Sequence, residues 1–206
     1  MHVERFPRYL DEVSLATWCS GVGSRWAERR YSVVAAGQET AGGGVINAST
    51  LWVHVDMATM RPIPVPESFA AQFAEAAGGR TVSARLHLPT KPPTAAAGAD
   101  VAQAHFHPWP VRFVDLDVLG HVNNSVYWAM VEDQLAQRVD LVEPFTITLE
   151  HHDAIDADDE VLLTVLDSEL GFDMWITTGD PGAPAESRRA AAVVRLDGQI
   201  QNDTGT

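Results

Sequence analysis

A single cysteine, Cys19, is all the thiol chemistry this chain has, so no internal disulfide can form and a reducing compartment suits it. As a nucleophile Cys19 would need a base beside it, and none stands nearby in sequence; an inert strand cysteine is the simpler reading. Long apolar runs are missing too. None approaches the roughly 18 residues that span a bilayer, and the opening MHVERFPRYL lacks the apolar stretch of a secretory signal. The cytosol is therefore the expected location, with no membrane partner. Positive charge is scarce: 14 Lys and Arg stand against 28 Asp and Glu, a formal net charge of −14. Nucleic acid, whose phosphates reward basic surfaces, is not an expected partner. The basic residues that exist cluster as Arg25, Arg29 and Arg30 and as Arg188 and Arg189. They serve either solubility or a local patch for an anionic ligand.

What is present is enough apolar material, 46% of 206 residues, to bury a core as one domain or two small ones. The first third reads as strands. Val13, Leu15 and Thr17 alternate with Ser14, Ala16 and Trp18, Gly21-Val22-Gly23 interrupts them as a bulge or hairpin, Arg25 to Ala35 returns, Gly37 to Gly44 loops, and Val45 to Asp56 extends. Repeated prolines from Arg61 to Pro66 deny amides to a ladder. Ser68 to Ala77 predicts a short helix capped by Ser68 and ended by Gly78-Gly79. Residues 80–104, rich in Ala, Pro, Thr and Gly, read as a linker.

The most informative stretch is Phe106 to Leu135. Its start, through Val111 and Phe113 to Val114, reads as a strand, and Asp115-Leu116-Asp117-Val118-Leu119-Gly120-His121 as a tight turn. A helix over Ser125 to Val139 follows, with Asn123, Asn124 and Ser125 all suitable caps. From Val126 to Val131 it is apolar on every side, which predicts burial inside other structure. Strands are expected over 145–152, 160–168, 172–178 and 187–196, with a polar tail from Gln199.

The pattern D-x-D-x-x-G-H-V-N-N-x-x-Y, Asp115 to Tyr127, between a strand and a buried helix resembles the hot-dog thioesterases, and within them the acyl-ACP (acyl carrier protein) thioesterases. Phe6 to Val13, Thr17 to Ser20 and Ser49 to Arg61 are similar to the first unit of that family. The resemblance implies an α+β double hot-dog, in which an antiparallel sheet wraps a long helix twice over. It implies hydrolysis of fatty acyl-ACP or acyl-CoA thioesters in fatty acid biosynthesis, with no cofactor and with the carrier protein or coenzyme A as partner; a homo-oligomer is compatible with it. Residues 1–79 would be the first unit, 80–104 the linker and 105–198 the second unit, which holds the site. Asp11-Glu12-Val13 and Asp159-Glu160-Val161 begin equivalent strands, so the first unit is expected to lack its N-terminal strand and helix, from a truncated start or a degenerate repeat.

Thioester hydrolysis needs a base or nucleophile and donors aimed at a developing oxyanion. By resemblance Asp117 is the catalytic aspartate, as nucleophile or general base, and His121 the histidine that follows it. Gly120, Val122, Asn123 and Asn124 would line the substrate at the helix start, whose amides and dipole can polarise a carbonyl. Ordinary turn and cap chemistry is the competing reading for Asp115, Asp117 and His121. Two departures keep a non-catalytic acyl-binding or scaffold protein in contention. Leu119 stands where plant members carry asparagine, and Leu149 to Ile155 lacks their glutamate and cysteine in register, leaving Glu150 or Asp153 as substitutes if strand parity allows. The His105/His107 and His151/His152 pairs have no Cys or carboxylate completing a metal set, and Asp156, Asp158 and Asp159 lack the spacing of a calcium loop.

Overall fold

β-branched and aromatic residues in alternation build the first part of the chain into strands, and local turn chemistry joins them. The computed structural model describes residues 1–35, 45–92, 104–180, 182–184 and 187–200. It divides into two compact units between Leu86 and His87. The predicted loop over Gly37 to Gly44, residues 93–103 of the predicted linker and the tail beyond Ile200 lie outside the described residues.

In the first unit β1 (His2–Val3), β2 (Val13–Val22), β3 (Trp26–Ala35) and β4 (Ile46–Val53) pair antiparallel in the order β2-β3-β4-β1. The register of β2 shifts between Cys19 and Gly21, beside the Gly21-Val22-Gly23 stretch expected as a bulge or hairpin, and the strand ends at Val22 before β3 returns. A single helix, α1 (Glu67–Ala77), lies along β2 and ends as predicted, with Gly78 left-handed at φ 56°. Its start differs: the cap position is Pro66, and Ser68 sits inside the first turn, because Pro66 holds a φ of −58° and needs no amide partner there. Only Ala77 of α1 is buried. Register places Val13, Leu15, Tyr31, Val33 and Trp52 on one face of the sheet, and Val13, Leu15 and Trp52 remain exposed.

The second unit is β5 (Ala104–Trp109), a 3-10 turn (Phe113–Asp115), α2 (Asn124–Gln137), β6 (Leu141–His151), β7 (Val161–Ser168), β8 (Gly171–Thr178) and β9 (Arg189–Ile200). Its strands run antiparallel in the order β6-β9-β8-β7-β5. The strand predicted to reach Val114 stops at Trp109, because Asp115 accepts from the Arg112 amide and side chain and draws the chain into a 3-10 turn, and Phe113 and Val114 are left 90% and 79% exposed.

Asn123 caps α2, its Oδ1 accepting from the Ser125 amide at 2.9 Å. Tyr127, Met130, Val131 and Gln134 form the buried stripe at helical spacing. Register puts Leu149, Val194, Met174 and Val165 in one row and His151, Ala192, Ile176 and Leu163 in the next, all on the same face. α2 covers this face, with the Tyr127 ring edge-on to His151 at 4.6 Å. Burying four side chains of the size of Met174, Ile176, Val165 and Met130 stabilises the unit by about 1.5–3 kcal/mol each.

The opposite face carries Glu150, Val193, Trp175 and Thr164 in one row. Residues 87–89 strap it. The Glu150 carboxylate accepts from the amides of His87 (2.8 and 3.0 Å) and Leu88 (2.9 Å), and Trp175 Nε1 donates to the Pro89 carbonyl at 2.8 Å. In the first unit Trp26 Nε1 similarly donates to Val82 O at 2.8 Å. The described part of the expected linker is thus held by side chains at Val82 and at residues 87–89.

Arg138, at the end of α2, bonds Asp140, Asp167, the Gly171 carbonyl at 2.8 Å and the Ser168 carbonyl at 3.2 Å, so one guanidinium fastens the helix to the β7–β8 hairpin. Arg138→Ala should lower unfolding stability by about 1–3 kcal/mol, since the carbonyls and Asp167 lose a largely buried donor. A urea titration reads this directly, and an unchanged midpoint would mean the hairpin holds the helix without it.

Candidate functional site

The D-x-D pair divides its labour. Asp115 is 2% exposed and accepts from Arg112 three times, at the backbone amide (2.9 Å), Nε (3.1 Å) and Nη2 (2.8 Å). That guanidinium holds the Asp115 carboxyl below the usual range. Its backbone carbonyl accepts from the Asn123 amide at 2.8 Å, tying the turn to the helix start. Asp115 is a structural anchor.

Two residues on, Asp117 closes the next turn. Its Oδ1 accepts from the amides of Leu119 (2.8 Å) and His121 (3.3 Å), its own amide donates to the His121 carbonyl at 2.8 Å, and its carbonyl accepts from Gly120 at 3.1 Å. Gly120 sits at φ 80°, where a side chain would be strained. Among the described residues no donor engages Asp117 Oδ2. One carboxylate oxygen is therefore anchored and the other left unpaired.

Asp117 opens onto a cleft of ≈ 360 Å³ walled by His121, Val122, Asn124, Tyr127, His151, His152, Asp153 and Ala154. Of the expected site residues, Asp117, His121, Val122 and Asn124 reach it. Asn123 is occupied as the cap, and Gly120 shapes the turn. Val122 is 4% exposed and its amide donates to the Ile155 carbonyl at 2.8 Å. His121 Nε2 lies 3.5 Å from Asp156 Oδ1, at the rim. Leu119 is 45% exposed and does not line the cleft.

Strand parity chooses between the two candidate acids. Glu150 points to the strapped face and is consumed there by two backbone amides. Asp153 lies past the end of β6, where the amides of His152 and Asp153 both donate to the Ala191 carbonyl, and it lines the cleft. Arg189 pairs with it at 2.6 Å and keeps its carboxyl below the usual range. Tyr127, His151 and His152 also enter the cleft, although sequence reasoning assigned none of them a role. Inward alternation of Ile147, Leu149 and His151 is the signal that could have found His151. His152 Nε2 is buried with no hydrogen-bond partner, a state that costs about 1–3 kcal/mol. Among the described residues no three His, Cys, Asp or Glu side chains gather as a metal site.

Burial pushes the Tyr127 hydroxyl up to about 12. Enclosure of the ring, and then the charge of neighbouring His152, lower His151 to about 4. The surface of His151 is open to the cleft's water, which screens part of this, so the direction is what matters: the imidazole is neutral near pH 7. Between the unfolded value near 6.5 and the folded value of about 4, the unfolded chain binds more protons at this residue, so stability falls as pH drops through that window. His151→Gln should flatten the dependence of melting temperature on pH there, relative to wild type. Parallel pH profiles for the two proteins would place the titration elsewhere.

Two models of one family match the chain: the acyl-ACP thioesterase N-terminal domain over residues 1–73 and the C-terminal domain over residues 98–192. An uncharacterized protein of Mycobacterium tuberculosis is 26% identical over 184 residues, covering 89% of this chain; the chain spans 66% of that relative's length. The 12:0-ACP thioesterase from Umbellularia californica shares the fold at a TM-score of 0.71 and 19% identity, over 97% of this chain and 72% of that one. An acyl-ACP thioesterase from Bacteroides thetaiotaomicron does so at 0.64 and 15%, over 96% and 73%. The antiparallel sheet packed on α2 is the α+β fold of these hot-dog thioesterases, and with both of the family's domains matched along most of its length, this chain belongs to the acyl-ACP thioesterase family.

Proposed function

We propose that the protein hydrolyses acyl thioesters at the cleft of its second unit, with Asp117 as the reacting carboxylate. The observation that carries this reading is the Asp117 geometry: Oδ1 held by two amides and Oδ2 unpaired, in a cleft that also takes in the first turn of α2. Both routes open to a carboxylate, activation of water and direct attack, start at that free oxygen. In the water route Oδ2 takes a proton, hydroxide adds to the carbonyl carbon, and the carbon–sulfur bond breaks as the oxyanion collapses. The thiolate then recovers the proton from Asp117. The amide of Asn124, in the first turn of α2, and the helix dipole favour the negative charge on oxygen in between. His121, bonded through its amide to Asp117 Oδ1, and Gly120, at positive φ, position the turn; Val122 and Asn124 line the substrate end of the cleft, and Asn123 holds the helix start as its cap.

The two units are read as a double hot-dog, the first spanning 1–79 without a helix over its Val13, Leu15 and Trp52 face and the second spanning 105–198. The acyl chain would lie between α2 and the sheet row of Met174 and Ile176. Family membership and the 12:0-ACP relative favour a fatty acyl carrier protein thioester, in cytosolic fatty acid synthesis, over acyl-CoA. No helix among the described residues is long and apolar enough to cross a membrane. Thiol release from acyl-ACP and from acyl-CoA, measured on wild type and Asp117→Asn, tests the reading. Release that is faster from acyl-ACP and depends on Asp117 supports it. Acyl binding without release would leave a binding protein.

A further inference from the structure

We propose that His152 is the carbonyl-binding residue of this cleft, donating from Nε2 to the thioester oxygen and more strongly to the oxyanion that replaces it. The inference rests on the hydrolytic reading and adds a group that lies outside the Asp115 to Tyr127 motif. His152 lines the same cleft as Asp117 and Asn124. Its backbone is fixed where the chain leaves β6, the amide donating to Ala191 O at 2.8 Å, so the ring is presented from a rigid edge. Its Nε2 is buried and has no partner.

Buried polar atoms are almost always paired, and one orphaned on a residue that lines a cleft is accounted for by an occupant that brings the missing partner as the ring turns to meet it. The other two such atoms among the described residues, Trp109 Nε1 and Thr164 Oγ1, do not line the cleft. Of the charged neighbours of His152, Asp153 is held by Arg189, His121 lies against Asp156, and Asp117 can only accept. The Asn124 amide at the start of α2 is a second donor in the same cleft, and His152 would act beside it. At its reacting centre a thioester offers one strong acceptor, the carbonyl oxygen. The ring nitrogen that meets it must therefore carry the proton. When a nucleophile adds to the carbonyl carbon, the π pair moves to this oxygen and the His152 hydrogen bond strengthens. When the pair returns and the thiolate leaves, His152 has neither gained nor lost a proton.

Steady-state hydrolysis and thermal melts of wild type, His152→Leu and His152→Gln test this. His152→Leu should lower kcat by about 10²-fold, the loss typical of one oxyanion donor, with little change in KM. Its melting temperature should equal or exceed wild type, because an unpaired buried atom has been removed. His152→Gln keeps a donor and should recover part of the rate. An unchanged kcat in His152→Leu overturns the proposal, and so does a lowered melting temperature, which would mark the ring as structural. A wild type inert toward every acyl thioester would instead sink the hydrolytic reading. His152 is then read by calorimetry with a ketone analogue of acyl-CoA, a methylene replacing sulfur: weaker binding to His152→Leu supports carbonyl recognition, and equal binding overturns it.

Discussion

Asp117→Asn should lower thioester hydrolysis by about 10²–10⁴-fold, the range for a lost general base, and by more if the carboxylate attacks directly. The fold should survive. Asparagine keeps an oxygen in the Oδ1 position, so the Leu119 and His121 amides retain their acceptor and the Gly120 turn stays closed. What disappears is the charge and basicity of Oδ2. Asp117→Ala is the useful contrast, because it removes the turn acceptor as well and should cost stability in addition to rate. Initial rates of thiol release, measured beside a thermal melt of each variant, separate the two effects. If Asp117→Asn is as active as wild type, the carboxylate serves only its turn, and Asp153 becomes the candidate. Asp115 and Glu150 are poor replacements, since Arg112 and the amides of residues 87–88 already occupy them.

Trp175→Ala should cost about 3–5 kcal/mol of unfolding free energy, in the range for emptying a buried aromatic site. Trp175 is 1% exposed, and its indole both fills the sheet face opposite α2 and holds Pro89. Trp175→Phe retains most of the volume and should cost roughly 1 kcal/mol for the hydrogen bond. Guanidinium titrations of the three proteins give the order. The alanine protein should also be cut more readily within residues 87–92, since the strap then hangs on Glu150 alone. A cost for Trp175→Ala no larger than that for Trp175→Phe would mean that the strap contributes only its hydrogen bond. Arg138 and Trp175 both bear on β8 but share no hydrogen-bond partner and act from opposite faces of the sheet, so their effects should add.

The site was legible where the chemistry is local. A carboxylate that bonds amides two and four residues ahead, a glycine at positive φ and an asparagine cap are all properties of consecutive residues, so the turn at Asp117 and the start of α2 could be read from Asp115 to Ser125. The strand before it is shorter than its alternation suggests. Val111 and Phe113 have the period of a strand, but the Arg112 to Asp115 ring of hydrogen bonds turns the chain. The stretch from Arg80 has linker composition and yet is partly strapped down, because its partners, Ser20, Trp26, Glu150 and Trp175, are 56 to 86 residues away in sequence.

By itself the sequence determined the helix of the second unit and the turn before it: the apolar run from Val126 to Val131 calls for a helix with buried side chains, and Asp117, Gly120 and Asn123 suit a tight turn and a cap. Tertiary structure decided which polar side chains share that turn's cleft. Side chains of a strand alternate, so adjacent residues such as Glu150 and His151 go to opposite faces, and neither composition nor spacing says which face will meet the helix. The register of β6 on β9 settles it, sending Glu150 to the strap and His151 to Tyr127. The turn after β6 then carries His152 and Asp153 round to the Asp117 cleft.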